Sequence, residues 1–108
     1  MLTMQKCKPC ATGVPPLPKA RVTELLAEVP GWELTGDGRR IERGFKFHDY
    51  LAALLFVNKL SNIAEDHGHH PDVCFGYGYC KVSFQTHAID GLHENDFIMA
   101  AKVNELLP

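Results

Sequence analysis

The sequence predicts an α+β domain: a four-stranded antiparallel sheet covered on one face by helices, in the order α-β-β-α-β-β-α. Three observations carry this. Apolar residues recur at three- and four-residue spacing in three separate stretches, two pairs of alternating segments lie between those stretches, and each pair is joined by a glycine-containing turn.

The first 17 residues are rich in proline and show no amphipathic period, so they read as an extended arm with no part in the chemistry, and residues 18–108 as one domain. From Pro18 a short helix is expected, since proline suits a first helical turn and Val22, Leu25, Leu26 and Val29 share a stripe; Pro30-Gly31 ends it. Trp32-Glu33-Leu34-Thr35 alternates as a strand, Gly36-Asp37-Gly38 turns, and Ile41, Arg43, Phe45 and Phe47 lie along one face of a second strand. A longer helix begins at His48-Asp49, with Asp49 placed to accept from free backbone N–H groups, and continues to about Asp66. It offers two apolar rows, one through Leu51, Leu54, Leu55, Asn58 and Asn62, the other through Ala53, Leu54, Val57, Leu60, Ser61 and Ala64. Gly68 suits its exit, and Pro71 forbids helix through His70. Residues 72–77 and 80–86 form the second hairpin, and residues from Phe97 to Leu107 form a last helix with mixed core and surface faces.

At 108 residues and a net charge of -2, with acidic and basic residues interspersed, the chain has the size of one domain and lacks the basic footprint of a nucleic-acid binder. Its longest apolar run, 51–57, falls far short of a membrane span, and the N-terminus has no apolar signal core, so a cytosolic protein is expected. The four cysteines then read as thiols. Only Cys7 and Cys10 have ligand-like spacing, and no second close pair completes a zinc site.

Five of the six histidines fall within 65–96. His69 and His70, held in an extended link by Pro71, and His87, a strand's length away, supply imidazoles near neutral pKa for proton transfer. Glu65 and Asp96 are carboxylates able to raise an imidazole's proton affinity or fix its tautomer. A metal reading fares worse, because adjacent side chains in an extended link diverge. His48, His67 and His93 read as surface or packing residues. The chain contains no phosphate-binding glycine loop, nucleophile elbow or dinucleotide fingerprint.

Glu65, three residues, His69-His70-Pro71, five residues, Tyr77, nine residues, His87, eight residues and Asp96 form a pattern that resembles the signature of the pterin-4a-carbinolamine dehydratases, also known as dimerisation cofactors of a hepatocyte transcription factor. The resemblance covers roughly residues 17–107 and includes Gly31-Trp32, Thr86-His87 and Gly91-Leu92. It implies loss of water from a 4a-hydroxytetrahydropterin to give a quinonoid dihydropterin, in the recycling of the pterin used by aromatic amino-acid hydroxylases. By the same resemblance His69, His70 and His87 are the catalytic residues, with His69 and His87 as the acid-base pair and His70 holding the pterin. Glu65 would orient or charge-balance the pocket, and main chain at Gly68, Thr86 and Ala88 would meet the flat ring. The resemblance implies no metal and no organic cofactor. It implies a homodimer or homotetramer, and in animal relatives a second role in binding a partner protein, so a non-catalytic assembly module is the alternative reading. Two residues depart from the family's usual ones. Gly68 replaces an aspartate of animal relatives, and His93 stands where serine or threonine often caps the last helix, an expected loss of about 1 kcal/mol unless Asn95, Asp96 or water compensates.

Overall fold

A computed structural model describes residues 2–7 and 14–107, so Cys10 and any pairing with Cys7 lie outside the described residues. The expected order is present: α1 (Lys19–Leu26), β1 (Glu33–Thr35), β2 (Arg40–Lys46), α2 (Tyr50–His67), β3 (Asp72–Gly76), β4 (Tyr79–Phe84) and α3 (Glu94–Asn104). Two short 3-10 turns, Leu2–Met4 and His87–Ile89, are added to it. The strands form one antiparallel sheet in the order β1-β2-β4-β3, leaving β1 and β3 as its edges.

Strand register explains the layering. Ile41 faces Phe84, Phe45 faces Cys80, and Val73 faces Val82, so one face of the sheet carries the apolar side chains. The helices pack there; Phe56 of α2 meets Phe45 at 4.8 Å between ring centroids. The opposite face carries Glu42, Lys81 and Asp72.

Helix α2 starts where Asp49 accepts a 2.8 Å hydrogen bond from the Ala52 N–H, an interaction worth about 1 kcal/mol. It ends at Gly68, whose left-handed φ of 63° is strained for residues with a Cβ. Its inward face follows the second expected row at Ala53, Leu60 and Ala64 and adds Phe56, which neither row contained. Ala53, Phe56, Leu60 and Ala64 are buried, whereas Leu51 and Leu55 are 60% and 51% exposed. The first two turns of the helix, residues 50–57, are apolar all round, and there the position of the sheet selects which side is buried.

The last helix also departs from expectation. Nearly every residue of α3 from Asn95 to Val103 is buried, because the N-terminal turn Leu2–Met4 packs on the side that the sheet leaves open. Its C-terminal end is tied down by Asn104, whose Oδ1 accepts from Trp32 Nε1 at 2.8 Å and Arg43 Nη1 at 2.7 Å.

Candidate active site

The site is assembled where the exit of α2, the turn after β4 and the start of α3 converge. After Gly68 reverses the chain, the His69 N–H still reaches back to the Ala64 carbonyl at 3.1 Å. This Schellman-type closure fixes where the following side chains emerge. The His69 ring then stacks on Phe84, with centroids 6.0 Å apart and planes inclined by 14°. An aromatic wall and a closed helix end thus restrict its movement.

Asp96 is the organising group. It is fully buried, and its Oδ1 lies 2.6 Å from His69 Nε2. Its Oδ2 accepts from Thr86 Oγ1 at 2.9 Å and from the His93 N–H at 3.0 Å. A buried carboxylate needs such donors to offset its desolvation. Because the carboxylate can only accept, His69 carries a proton on Nε2, and Nδ1 has no hydrogen-bond partner among the described residues. Orientation and tautomer are therefore both set from within the core.

His93 does not cost α3 its cap. Its own Nδ1 accepts from the Asn95 N–H at 3.0 Å, while Asp96 returns the bond to the His93 N–H, completing a capping box with an imidazole in place of a hydroxyl. The expected loss is thus made good by the very residue thought to cause it.

His87 is brought to the same site through its neighbour. Thr86 forms a β-bridge with Gly91 and binds Asp96, so His87 opens the 3-10 turn one residue along the chain from the Asp96 contact. Its imidazole is exposed and makes no hydrogen bond among the described residues. Pro16 presses on Gly91, where a Cβ would come within 2.8 Å, and an Arg39–Asp90 ion pair at 3.2 Å holds the turn from outside.

His70 points to a different partner, Glu65 Oε1, at 2.9 Å; this pair is exposed. Gly68 and Ala88 are also exposed. Thr86 is not: its N–H and carbonyl already bond Gly91, and only its hydroxyl contributes, inwardly, to Asp96. Asp96 is the residue that sequence reasoning undervalued, weighing it only as one possible carboxylate partner. Among the described residues no group of three or more His, Cys, Asp or Glu side chains is arranged to hold a metal ion, and no helix is long and apolar enough to cross a membrane.

His67, at the end of α2, has its pKa lowered from 6.5, first by burial and then by Lys102 and Lys6, against an opposing effect of Asp66. The unfolded chain therefore takes up this proton before the folded one. His67 should give stability that is fully present above pH 6.5 and is lost as pH falls through 6.5 toward the lowered value. Urea melts of the wild type and His67→Gln across pH 5 to 8 check this; the variant should lose the acid-side decline that His67 causes, and identical profiles would refute it.

Comparison with known proteins bears on this geometry. The sequence model of a family described as "Pterin 4 alpha carbinolamine dehydratase" matches residues 15–106. A protein from Aromatoleum aromaticum is 52% identical over 107 residues, spanning 99% of this chain and 96% of its own, and bears a provisional pterin-4-alpha-carbinolamine dehydratase name. One from Methylococcus capsulatus with the same provisional name is 51% identical, over 97% of this chain and 92% of its own. Among solved structures, a transcriptional coactivator/pterin dehydratase from Brucella melitensis superposes with a TM-score of 0.81 at 31% identity, covering 86% of this chain and 99% of that one. A pterin dehydratase-like protein identified as a RuBisCO assembly factor in the alpha-carboxysome gives a TM-score of 0.61 at 25% identity, covering 70% and 88%.

Proposed function

This chain belongs to the pterin 4 alpha carbinolamine dehydratase family, and from that premise we propose that it dehydrates a 4a-hydroxytetrahydropterin by histidine acid-base catalysis, in pterin recycling. The observation that carries the reading is Asp96, a buried carboxylate that binds His69 directly and the residue preceding His87 through Thr86.

In the reaction the C4a–O bond breaks as the hydroxyl receives a proton and leaves as water, while N5 gives up its proton and a C4a=N5 double bond forms. His69, with Nε2–H held by Asp96, offers the Nδ1 lone pair as proton acceptor. His87, whose imidazole is exposed and has no hydrogen bond among the described residues, is the second proton-transfer group. The acid and base roles are assigned to the two imidazoles together and not to either one singly. His70 holds the ring, Glu65 orients it, and exposed main chain at Gly68 and Ala88 meets the pterin's edge. Thr86 acts through Asp96, since its own main chain is engaged.

A direct assay with synthetic 4a-hydroxytetrahydropterin tests the proposal: wild-type protein should accelerate water loss, and a wholly inactive folded protein would refute it. The likeness to a RuBisCO assembly factor favours one second reading, a partner-binding module on the same fold; it is the reading that an inactive folded protein would leave standing.

A homodimer or dimer of dimers is part of the proposal. Edge strands β1 and β3 are unpaired among the described residues, and α2 exposes Tyr50, Leu51 and Leu55. Light scattering should give a multiple of 12.1 kDa; a monomer at all working concentrations would refute it.

A further inference from the structure

The N-terminal segment reads from sequence as an arm without a chemical part, yet its contacts lie behind the candidate site. Leu2 is buried in the main core, and Lys102 Nζ of α3 donates to the Thr3 carbonyl at 2.7 Å. Farther along, the Cys7 N–H points to His67 Nδ1 at 3.5 Å, and the Cys7 thiol to the Asn95 carbonyl at 3.8 Å. His67 lies two residues before His69, and Asn95 is the residue before Asp96. Residues 2–7 therefore touch both elements that must stay in register for the 2.6 Å His69–Asp96 contact.

We propose that residues 2–7 form a strap that positions the His69–Asp96 pair by bridging the end of α2 to the first turn of α3, with Leu2 as its anchor and Cys7 as its positioning residue. The inference rests on the dehydratase reading for its kinetic part alone. Leu2 and the Thr3–Lys102 bond supply most of the hold, because the Cys7 contacts are long. A groove of about 200 Å³ lined by Leu2, Thr3, Glu28 and Ala101 lies beside the strap, so its packing there is incomplete. Burial pushes the Cys7 thiol up to about 11, which suits a packing contact and not a nucleophile.

The strap is also sensitive to pH. Only a His67 unprotonated at Nδ1 can accept from the Cys7 N–H. The groups facing His67 are Lys102 of α3, Lys6 of the strap and Asp66 of α2. At neutral pH the ring is neutral and the latch is closed; protonation, below its ordinary 6.5, opens it.

The test uses Leu2→Asp and Lys102→Met in the full-length protein, read by steady-state kinetics and by NMR of the His69 ring. Freeing the strap should lower kcat about tenfold with KM nearly unchanged, because misplacement of a proton-transfer group affects the bound reaction. The His69 resonances should shift while those of the exposed His70 stay in place. Should Leu2→Asp fail to fold, Lys102→Met carries the same readouts, as it removes the bond to Thr3, together with a charge facing His67, and puts no charge into the core. A folded variant with wild-type kcat and unmoved His69 resonances overturns the strap. If the wild type has no dehydratase activity, the reading of the reaction falls, and the His69 resonances alone still decide the strap.

Discussion

His69→Ala is expected to slow dehydration of a 4a-hydroxytetrahydropterin by roughly 10²- to 10⁴-fold, the range typical of a lost general acid or base. His87→Ala should do the same, and combining them should add less than the product of the two, because they serve one proton circuit. The fold should survive both changes. Among the described residues the exposed His87 imidazole makes no hydrogen bond, and the His69 side chain, though only 12% exposed, is held by a single hydrogen bond and one ring face. On the proposed role of His70 in holding the ring, His70→Ala should raise KM more than it lowers kcat; its partner Glu65 is exposed. Stopped-flow absorbance following the quinonoid product separates these cases. A folded His87→Ala protein with full activity would sink the acid-base assignment.

How much of this was legible beforehand depends on the distance over which each contact acts. Local signals were readable: Asp49 as a cap, Gly68 as a left-handed exit, Pro71 as a stop and the two glycine turns all act within a few residues, and each lies where expected. The buried stripe of α2 was legible only in part: Ala53, Leu60 and Ala64 lay on one expected row, but leucines on several sides of the first turns made Leu51 and Leu55 rival candidates and hid Phe56. His93 was misjudged for a different reason. An imidazole nitrogen accepts a backbone N–H as a hydroxyl does, but histidine is uncommon among capping residues, so residue type alone argued against it. The pairing of His69 with Asp96 spans 27 residues and Lys102 with Thr3 spans 99, separations at which composition and periodicity carry no information. Residue type offered Asp96 as one of two carboxylates able to fix an imidazole's tautomer, and the family's fixed gaps included it, but neither said which imidazole it meets.

Substitution of Asp96 separates its two roles. The carboxylate accepts from three donors: His69 Nε2–H on one oxygen, and the Thr86 hydroxyl and His93 N–H on the other. Asp96→Ala leaves all three without a partner in a fully buried position. At about 1–3 kcal/mol for each unsatisfied donor, relieved in part by water entering the gap, the expected loss is about 3–5 kcal/mol. That is a large part of the stability of a small domain. Asp96→Asn is the sharper experiment. Its carbonyl can keep the Thr86 and His93 bonds, which preserves the loop and the cap, but its amide N–H₂ then faces His69 Nε2. Two donors cannot share that contact, so the imidazole must move its proton to Nδ1, the nitrogen left open for the substrate. Stability should fall by only about 1–2 kcal/mol, while dehydration should fall by roughly 10²- to 10⁴-fold, as for loss of His69 itself. Nitrogen NMR of the ring would show the tautomer directly, and urea melts would give the stability. An Asp96→Asn protein that keeps the wild-type rate, or one whose His69 retains its proton on Nε2, would show that the carboxylate holds the fold without governing the chemistry.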